Sequence, residues 1–466
     1  MPSARSIDSI AKAKPYPLWW DQIPRKPTRP PLGEAIAVDV AIVGGGFTGL
    51  WTSYYLAVRN PELTIAVLER DFIGYGASGR NGGWCYAGFA SDLEKIEQLS
   101  NTETARRWGR VLIDALDEIN RVVDEEGIDC DWQRGGTIHL FRNGGQKARA
   151  EEHVASVHRL GWTDADARLL SLGETNERIR ATRSIGAEFS PHNAAIHPAK
   201  LVAGLATAAE RRGVTIYENT EATGIEAGVV ATNRATVSAP IVIRATEGYT
   251  AEIDGHEREL APLYSLMLAT EPLSDAAWNQ IGLDDRETFG DYRHMVIYGQ
   301  RTADGRIAFG GRGAPYDFGS RIRRGAEFSP DHHVSLWGTL TELFPVLEGT
   351  RVSHRWGGVL GVARDWTPRV AFDELSGLGW AGGYVGSGAL PTNLAGRTLT
   401  DLIMGDKTDL TSYPWVNLPV RRWEPEPFRW LGIMGAQRAM EAADFTESRT
   451  NQSSRVASGL WRMIDL

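Results

Sequence analysis

Cysteine is nearly absent: the 466 residues hold two, Cys85 and Cys130. Two thiols cannot build a disulfide framework or a cysteine-based metal cluster, so the chain reads as a protein of a reduced compartment with no metal site. Long apolar runs are missing too. Residues 1–20 lack an apolar core of signal-peptide length, and nothing later approaches the roughly eighteen apolar residues of a membrane helix. The expected location is the cytoplasm, with no membrane partner. A basic stripe is the third absence. Lys and Arg number 50 against 59 Asp and Glu, a formal charge of −9 that argues against a nucleic-acid partner. No internal repeat is visible. Apolar residues at 42% and charged residues at 23% are ordinary for a globular protein, and the length exceeds what one compact core accommodates. Two closely packed domains are the starting expectation.

Glycine is abundant, and its placement carries the information. Val38–Val43 is a short apolar run with strand composition, followed at once by Gly44, Gly46 and Gly49 in G-x-G-x-x-G spacing. A helical pattern then begins, with Phe47 and Thr48 in its first turn. Gly44 allows the tight turn out of the strand, Gly46 lets backbone N–H groups approach a pyrophosphate, and Gly49 lets the helix lie close on the strand. A second strand, TIAVLER, ends in Glu69 and Arg70, with the acid twenty residues past Gly49. A carboxylate there accepts hydrogen bonds from a ribose. Strand, glycine turn, helix, strand and acid together specify a dinucleotide site.

The loop DFIGYGASGRNGGWCYAG, residues 71–88, exposes its backbone through six glycines and reads as neither strand nor helix. With the fingerprint just upstream, Ala77, Ser78, Gly79, Arg80, Asn81, Gly82, Gly83 and Trp84 are expected to wrap the cofactor. The opening arm contains PYPLWW and a proline-rich stretch that forbid regular structure, and Trp19 and Trp20 favour its docking on the body. Apolar residues at three- and four-residue steps predict a core helix within 91–127, and further helices are expected over 146–160, 201–212 and 334–344. Residues 131–142 read as a strand pair turning at Gly135-Gly136. Ile241–Ala245 is an apolar strand ending in Thr246, Glu247 and Gly248, the end at which an open sheet places a ligand. APLYSLMLATEPL, YRHMVIYG and GRIAFGGRG predict an antiparallel sheet in a second domain. A strand over 379–384 then passes through Gly386 and Gly388 to a helix starting near Pro391, and the Pro/Trp-rich tail beyond Gly405 ends in a helix.

VAIVGGGFTGLWTSYYLA with Glu69, ASGRNGGW, RATEGYT and GGYVGSGALPTNLAGRTLTDLI together resemble the D-amino-acid oxidase superfamily of flavoproteins. Within it the chain looks most like the gamma-glutamylputrescine oxidase group, beside the glycine and sarcosine oxidases. The resemblance runs over about residues 36–406. It implies an α/β fold: a Rossmann-type FAD-binding domain of the glutathione-reductase-like, D-amino-acid oxidase kind, with a second α+β substrate domain built on an antiparallel sheet. The implied parts are an arm (1–34), an FAD-binding domain from 35–92, 190–255 and 350–406, a substrate domain from 93–189 and 256–349, and a tail (407–466). FAD is expected in extended form, its ADP half on Gly44–Gly49 and Glu69, with the Ala222 backbone at adenine. Gly386, Ser387, Gly388 and Ala389 are expected at the ring edge, Thr392 at the ring or ribityl chain, and Trp356 near the ring. The helix starting at 390–393 independently offers a positive dipole end, worth up to about 2 kcal/mol to a reduced, anionic flavin. Family members attached covalently to flavin use a cysteine or a histidine at positions aligning near Val362 and Asn81. Neither nucleophile is present, so the FAD is expected to be non-covalent. No second G-x-G-x-x-G provides a site for NAD(P)H.

The chemistry implied by the resemblance is oxidation of a carbon–nitrogen bond. A neutral amine gives hydride from its carbon to flavin N5, the imine hydrolyses, and O2 reoxidises the flavin with release of H2O2. Candidate substrate-side residues are Tyr264, Met267, Tyr292, Tyr298, Arg306 and Arg312 on the second-domain sheet, with His354 and Arg355 beside Trp356. Arg306 aligns near an oxygen-activating lysine of sarcosine oxidases, and an exposed hairpin arginine is the competing reading. Arg312 is either a carboxylate clamp or a strand arginine paired with a structural acid. An FAD dehydrogenase passing electrons to a quinone or carrier, and a non-catalytic flavin-binding subunit, remain as alternatives. Replacement of Glu69 by Ala removes charged hydrogen bonds of roughly 1.5–3 kcal/mol and is expected to leave apoprotein after gel filtration; undiminished flavin content would contradict its role.

Overall fold

The computed structural model describes residues 3–24, 29–89, 93–311, 313, 316–454 and 459. The fingerprint strand Val40–Val43 and its neighbour Ile65–Leu68 are buried at every position, as strands covered on both faces must be. They lie side by side in a six-stranded sheet. Its order is Arg369–Asp373, Leu378–Gly382, Ile241–Arg244, Val40–Val43, Ile65–Leu68, Thr215–Tyr217. All neighbours are parallel except the edge strand Arg369–Asp373, which returns antiparallel to Leu378–Gly382. Helices Phe47–Arg59 and Pro391–Met404 pack together so closely that a Cβ on Gly396 would stand 2.7 Å from the Cβ of Trp51. A small four-stranded sheet forms from Ile36–Ala37, Thr236–Ser238, Val229–Thr232 and Ala222–Glu226.

The second large sheet has eight strands in the order Val352–Ala363, Leu260–Thr270, Ile307–Gly311, Ile297–Arg301, Thr288–Asp291, Thr137–Phe141, Gly186–Ser190, Arg168–Leu170. It is antiparallel apart from one parallel pair, Thr137–Phe141 with Thr288–Asp291. Three readings of the sequence are corrected here. Residues 131–142 are no hairpin: the only strand there, Thr137–Phe141, finds its partners far along the chain, because buried apolar residues on this face need long-range neighbours. Val352–Ala363 belongs to this sheet and not to the cofactor-side sheet, since it pairs with Leu260–Thr270 along its length. The glycine-rich loop contains a one-turn helix, Ala77–Gly79, and a strand, Trp84–Tyr86, that pairs with Asn193–Ala195.

The terminal segments bind the body by specific contacts. Trp19 is buried and its indole N–H donates to the Asn81 carbonyl at 2.9 Å. Trp20 packs edge-on against Phe72, with ring centroids 5.2 Å apart. The Lys14 backbone bridges to Ser353 and Arg355. The tail helix Phe428–Thr450 crosses to the eight-stranded sheet, where Asp444 and Glu447 meet residues 293–295 and Arg149. Among the described residues no helix is long and apolar enough to cross a membrane. Truncating Trp19 to Ala empties a fully buried indole site and is expected to cost about 3–5 kcal/mol in denaturant unfolding; a loss below ~1 kcal/mol would mean the arm is not held as described.

Candidate active site

The carboxyl ends of the parallel strands face one side of the eight-stranded sheet, and a cavity of about 610 Å3 runs between them. Val43, Leu68 and Ala245 close its floor, and Ser265, Tyr298 and Gly358 its roof. At one end is the glycine fingerprint. Gly44 has φ +113°, and a Cβ there would stand 2.5 Å from the Ala245 carbonyl oxygen. The chain turns there as only glycine comfortably can. At the start of helix Phe47–Arg59, the Phe47 N–H donates to the Ser78 hydroxyl at 2.8 Å. The N–H groups of Gly46 and Thr48 line the cavity and find no acceptor among the described residues. Glu69 accepts from the N–H groups of Gly45 (2.8 Å) and Asp71 (3.0 Å), and burial pushes its carboxyl up to about 7. Arg70 is held by Glu252 over the ring of Tyr249. Ala222, Thr246 and Gly248 line this end with them.

The other end of the floor is the turn into helix Pro391–Met404. Gly386, Gly388, Ala389 and Leu390 line the cavity, and their N–H groups have no partner among the described residues. Ser387 and Thr392 line it too, with the Thr392 hydroxyl turned back onto the Ala389 carbonyl. The turn is fixed from below by Glu247. Its carboxylate accepts from the N–H groups of Gly383 (2.9 Å), Gly361 (3.2 Å) and Tyr384 (3.3 Å), and burial raises it to about 7. Along the wall between the two ends run Ala77, Ser78, Arg80, Asn81, Gly82 and Trp84. Arg80 is a structural tie, bonded to the Tyr75 carbonyl (2.7 Å) and Glu327 (2.9 Å).

Beyond Trp84 the cavity becomes an aromatic chamber. The Trp84 ring meets Tyr298 (6.4 Å) and His139 (5.8 Å), and His139 in turn meets Tyr86 (6.4 Å) and Tyr292 (5.8 Å). Burial lowers the His139 pKa, so the ring is neutral. Tyr298 bonds Ser265 at 2.7 Å. The chamber ends in charged side chains, with Arg149, Asp291 and Arg293 on its wall beside His294.

Several residues expected at the site lie elsewhere. Gly49 packs under Gly44 and shapes the turn without reaching the cavity. Gly79 is pressed against the Trp20 indole, and Gly83 against Gln300 and the Ile196 carbonyl. Trp356 is fully buried behind the loop, donating to the Arg80 carbonyl at 2.8 Å, so it supports the wall without being part of it. Arg306 is turned away, bonded to Asp304, the Thr270 carbonyl and Ser353. His354 sits at the far end of its strand, bonded to Asp21 of the arm (3.0 Å) and to Ser353. Arg355 also turns to the arm, and Met267 is buried among core side chains. Tyr264 is buried and donates to the Arg323 carbonyl (3.1 Å). Arg312 lies outside the described residues. Of the substrate-side candidates, Tyr298 and Tyr292 line the cavity. Sequence reasoning passed over Tyr86, His139, Arg149, Asp291, Arg293 and the clamp Glu247. Tyr86, Arg293 and Glu247 lie inside the quoted DFIGYGASGRNGGWCYAG, YRHMVIYG and RATEGYT segments, and the others carried no signal.

Comparison with known proteins agrees with this geometry. The family model described as DAO, FAD dependent oxidoreductase, matches residues 39–402. The chain belongs to that family of FAD-dependent oxidoreductases. It is 31% identical over 396 residues to gamma-glutamylputrescine oxidoreductase of Escherichia coli K12, covering 83% of this chain and 88% of the relative. It is 25% identical to glycine oxidase of Geobacillus kaustophilus over 392 residues, 81% of this chain and 96% of that one. The crystal structure of glycine oxidase from Geobacillus kaustophilus superposes with TM-score 0.67 at 22% identity, covering 82% of this chain and 99% of that chain. The donor set fits FAD: unpaired backbone N–H groups at two helix starts, a carboxylate at the ribose position of the fingerprint, and one continuous cavity joining them.

Glu247 and Glu69 give a pH test. Each folded-state pKa of about 7 stands above the ordinary 4.5, so the folded chain holds protons that the unfolded chain releases. Buried His197, pushed down to about 4, adds stability with rising pH, and against it the share of these two carboxyls in apoprotein stability falls as pH rises from about 4.5 to about 7 and levels off above. Glu247→Gln should remove roughly half of that fall, while costing about 1–3 kcal/mol at pH 5 for a backbone donor left without its acceptor. Urea unfolding between pH 5 and 8 reads both; an unchanged slope in the variant contradicts the burial of Glu247.

Proposed function

We propose that this FAD-dependent oxidoreductase oxidises the CH–NH bond of an amine that carries an amino-acid-like group, of the gamma-glutamylputrescine kind, with O2 as electron acceptor. FAD, when bound, supplies a hydride acceptor at N5 and returns the electrons to O2, giving H2O2. The observation that carries the reading is the continuity of the cavity. The aromatic chamber opens directly from the segment framed by Trp84, Tyr298 and the unpaired N–H groups at 386–390.

Each group there has a task. The N–H groups of Gly386, Gly388, Ala389 and Leu390, at a helix start, would face the pyrimidine edge of the ring and favour negative charge on it. Glu247 would keep that turn rigid from beneath. Trp84, Tyr298 and neutral His139 exclude water around the reacting carbon. Desolvation disfavours an ammonium, so the chamber would hold the substrate amine in the neutral form that can release hydride. The imine leaves as the hydrolysable product. Asn81 and Val362 stand at the two positions where a covalent link would need a nucleophile, so the cofactor is held by contacts alone. The names of the relatives support the amine class, and the length of the chamber beyond Tyr298 supports a substrate longer than glycine.

Anaerobic mixing of the yellow holoprotein with a panel of amines tests this. Gamma-glutamylated diamines should bleach the flavin, with N-methyl amino acids and D-amino acids slower, and readmitted air should restore the colour and yield peroxide. Slow return in air with fast return to an artificial quinone would transfer the proposal to a dehydrogenase. Tightly bound FAD that no amine bleaches would contradict it.

A further inference from the structure

One row across the eight-stranded sheet carries Glu188, His139, Gly290 and Tyr298 on four successive strands, each opposite the next. Residues paired in this way share a face, with Cβ atoms about 5 Å apart. Gly290 has no side chain to fill its place. A Cβ there would stand 3.4 Å from His139 Cδ2 and 3.6 Å from Trp84 Cη2. The room lets His139 lean against Trp84, at the end where the chamber meets Trp84 and Tyr298. His139 is half-buried and lines the cavity, and among the described residues neither of its ring nitrogens has a hydrogen-bond partner.

The other bases on the chamber wall are occupied. Both oxygens of Asp291 accept from Arg293 (2.7 and 2.6 Å), and the His294 ring meets Glu447 at 3.1 Å. The Tyr292 hydroxyl donates to Glu188, which also meets His153 Nδ1 at 3.1 Å. Burial opposes the charge of Glu188, but His153, His139 and the Tyr292 hydroxyl together hold its carboxyl below the usual range. A carboxylate therefore stands directly across the strands from a histidine that has nothing of its own to bond. An alkylamine reaches the protein protonated at neutral pH, as lysine is. Oxidation needs the neutral form, so its proton has to go to something in the chamber.

We propose that His139 is the base of the chamber, a free ring nitrogen taking a proton from the substrate ammonium and passing it to water. The N–H bond of the ammonium breaks with its electron pair left on nitrogen as the lone pair, and an N–H bond forms on the imidazole. Glu188 offsets the imidazolium charge. The proton then leaves to water, and the neutral amine stays hydrogen-bonded to the ring. This rests on the amine-oxidation reading and deepens it by naming where the proton goes. The groups facing His139 set its working range. Burial favours the neutral ring, Glu188 and Asp291 favour the charged one, and His153 opposes it. Tyr86 and Tyr292 are phenols whose burial keeps them protonated, and Arg149 and Arg293 are tied to Glu447 and Asp291.

Two measurements test this. Anaerobic bleaching by a gamma-glutamylated diamine should be on the order of 100-fold slower in His139→Gln than in wild type at pH 7. The difference should close as pH approaches the pKa of the amine, where substrate arrives without its proton. No loss, or the same loss at every pH, would overturn the proposal, since a packing role is blind to the proton on the substrate. The second measurement needs no turnover. Its probe is the same diamine with both hydrogens on the carbon bearing the free amine replaced by methyl groups, which leaves no hydride to give. In holoenzyme labelled with nitrogen-15 histidine, the probe at pH 8 should move the unprotonated ring nitrogen of His139 toward its protonated frequency. The signal is assigned by its loss in His139→Gln or, should that variant not fold, in His139→Asn. A signal that stays in place while the flavin spectrum shows the probe bound would overturn the proposal. Movement of the signal, with no amine bleaching wild type, would overturn the proposed reaction and leave the base standing. A holoenzyme that neither bleaches with any amine nor binds the probe would overturn both.

Discussion

Backbone N–H groups that need an acceptor are the constraint on which this molecule is built. Two helices, Phe47–Arg59 and Pro391–Met404, begin at glycine turns at the carboxyl ends of parallel strands, and both starts open into the same cavity. The first N–H groups of a helix have no partner within it. Here the Ser78 hydroxyl satisfies that of Phe47, those of Thr392 and Asn393 turn back onto the Gly388 and Leu390 carbonyls, and those of Gly46, Thr48, Gly386, Gly388, Ala389 and Leu390 line the cavity floor. A ligand that is anionic in its middle and rich in acceptors at both ends answers that demand, and a family of FAD-dependent oxidoreductases supplies it. The surrounding structure holds the two starts in register: Gly396 lets the helices touch, Glu69 fixes the first turn, and Glu247 fixes the second.

Both termini lie mostly outside the 39–402 region matched by the family, and both act on the site. The arm backs the cofactor loop, through the hydrogen bond from Trp19 to Asn81 and the packing of Trp20 against Gly79. The tail helix braces the opposite end of the cavity through Asp444 and Glu447. The inner region is thus built by the body that the family model matches, and the outer wall is braced by a segment that lies beyond that match.

What could be read from the sequence follows the range of the interactions. The cofactor floor was legible because its determinants are local: strand, glycine spacing, helix and acid within some thirty residues, and Gly386 and Gly388 just before Pro391. The helix Pro391–Met404 begins where the glycine turn indicates. The substrate side was not. Arg306 sits just before the strand Ile307–Gly311 and His354 on the strand Val352–Ala363, but ion pairs and the docked arm turn them away, and the arm residue Asp21 that holds His354 is far off in sequence. Arg149 lies on the helix Gly144–Arg159, and nothing in that surface-like pattern signals that Glu447, about three hundred residues later, aims it into a cavity. The strand Trp84–Tyr86 was hidden in a run of glycines because its partner, Asn193–Ala195, is distant in sequence.

The central claim is that one ligand spans both helix starts, and an unfolding titration of the apoprotein tests it most directly. FAD at a hundredfold excess over its dissociation constant should raise the unfolding free energy by about 2.7 kcal/mol, whereas ADP and FMN, each reaching one start only, should require far higher concentrations for the same effect. FMN or ADP stabilising the protein as well as FAD does at equal concentration would contradict a cofactor held at both ends.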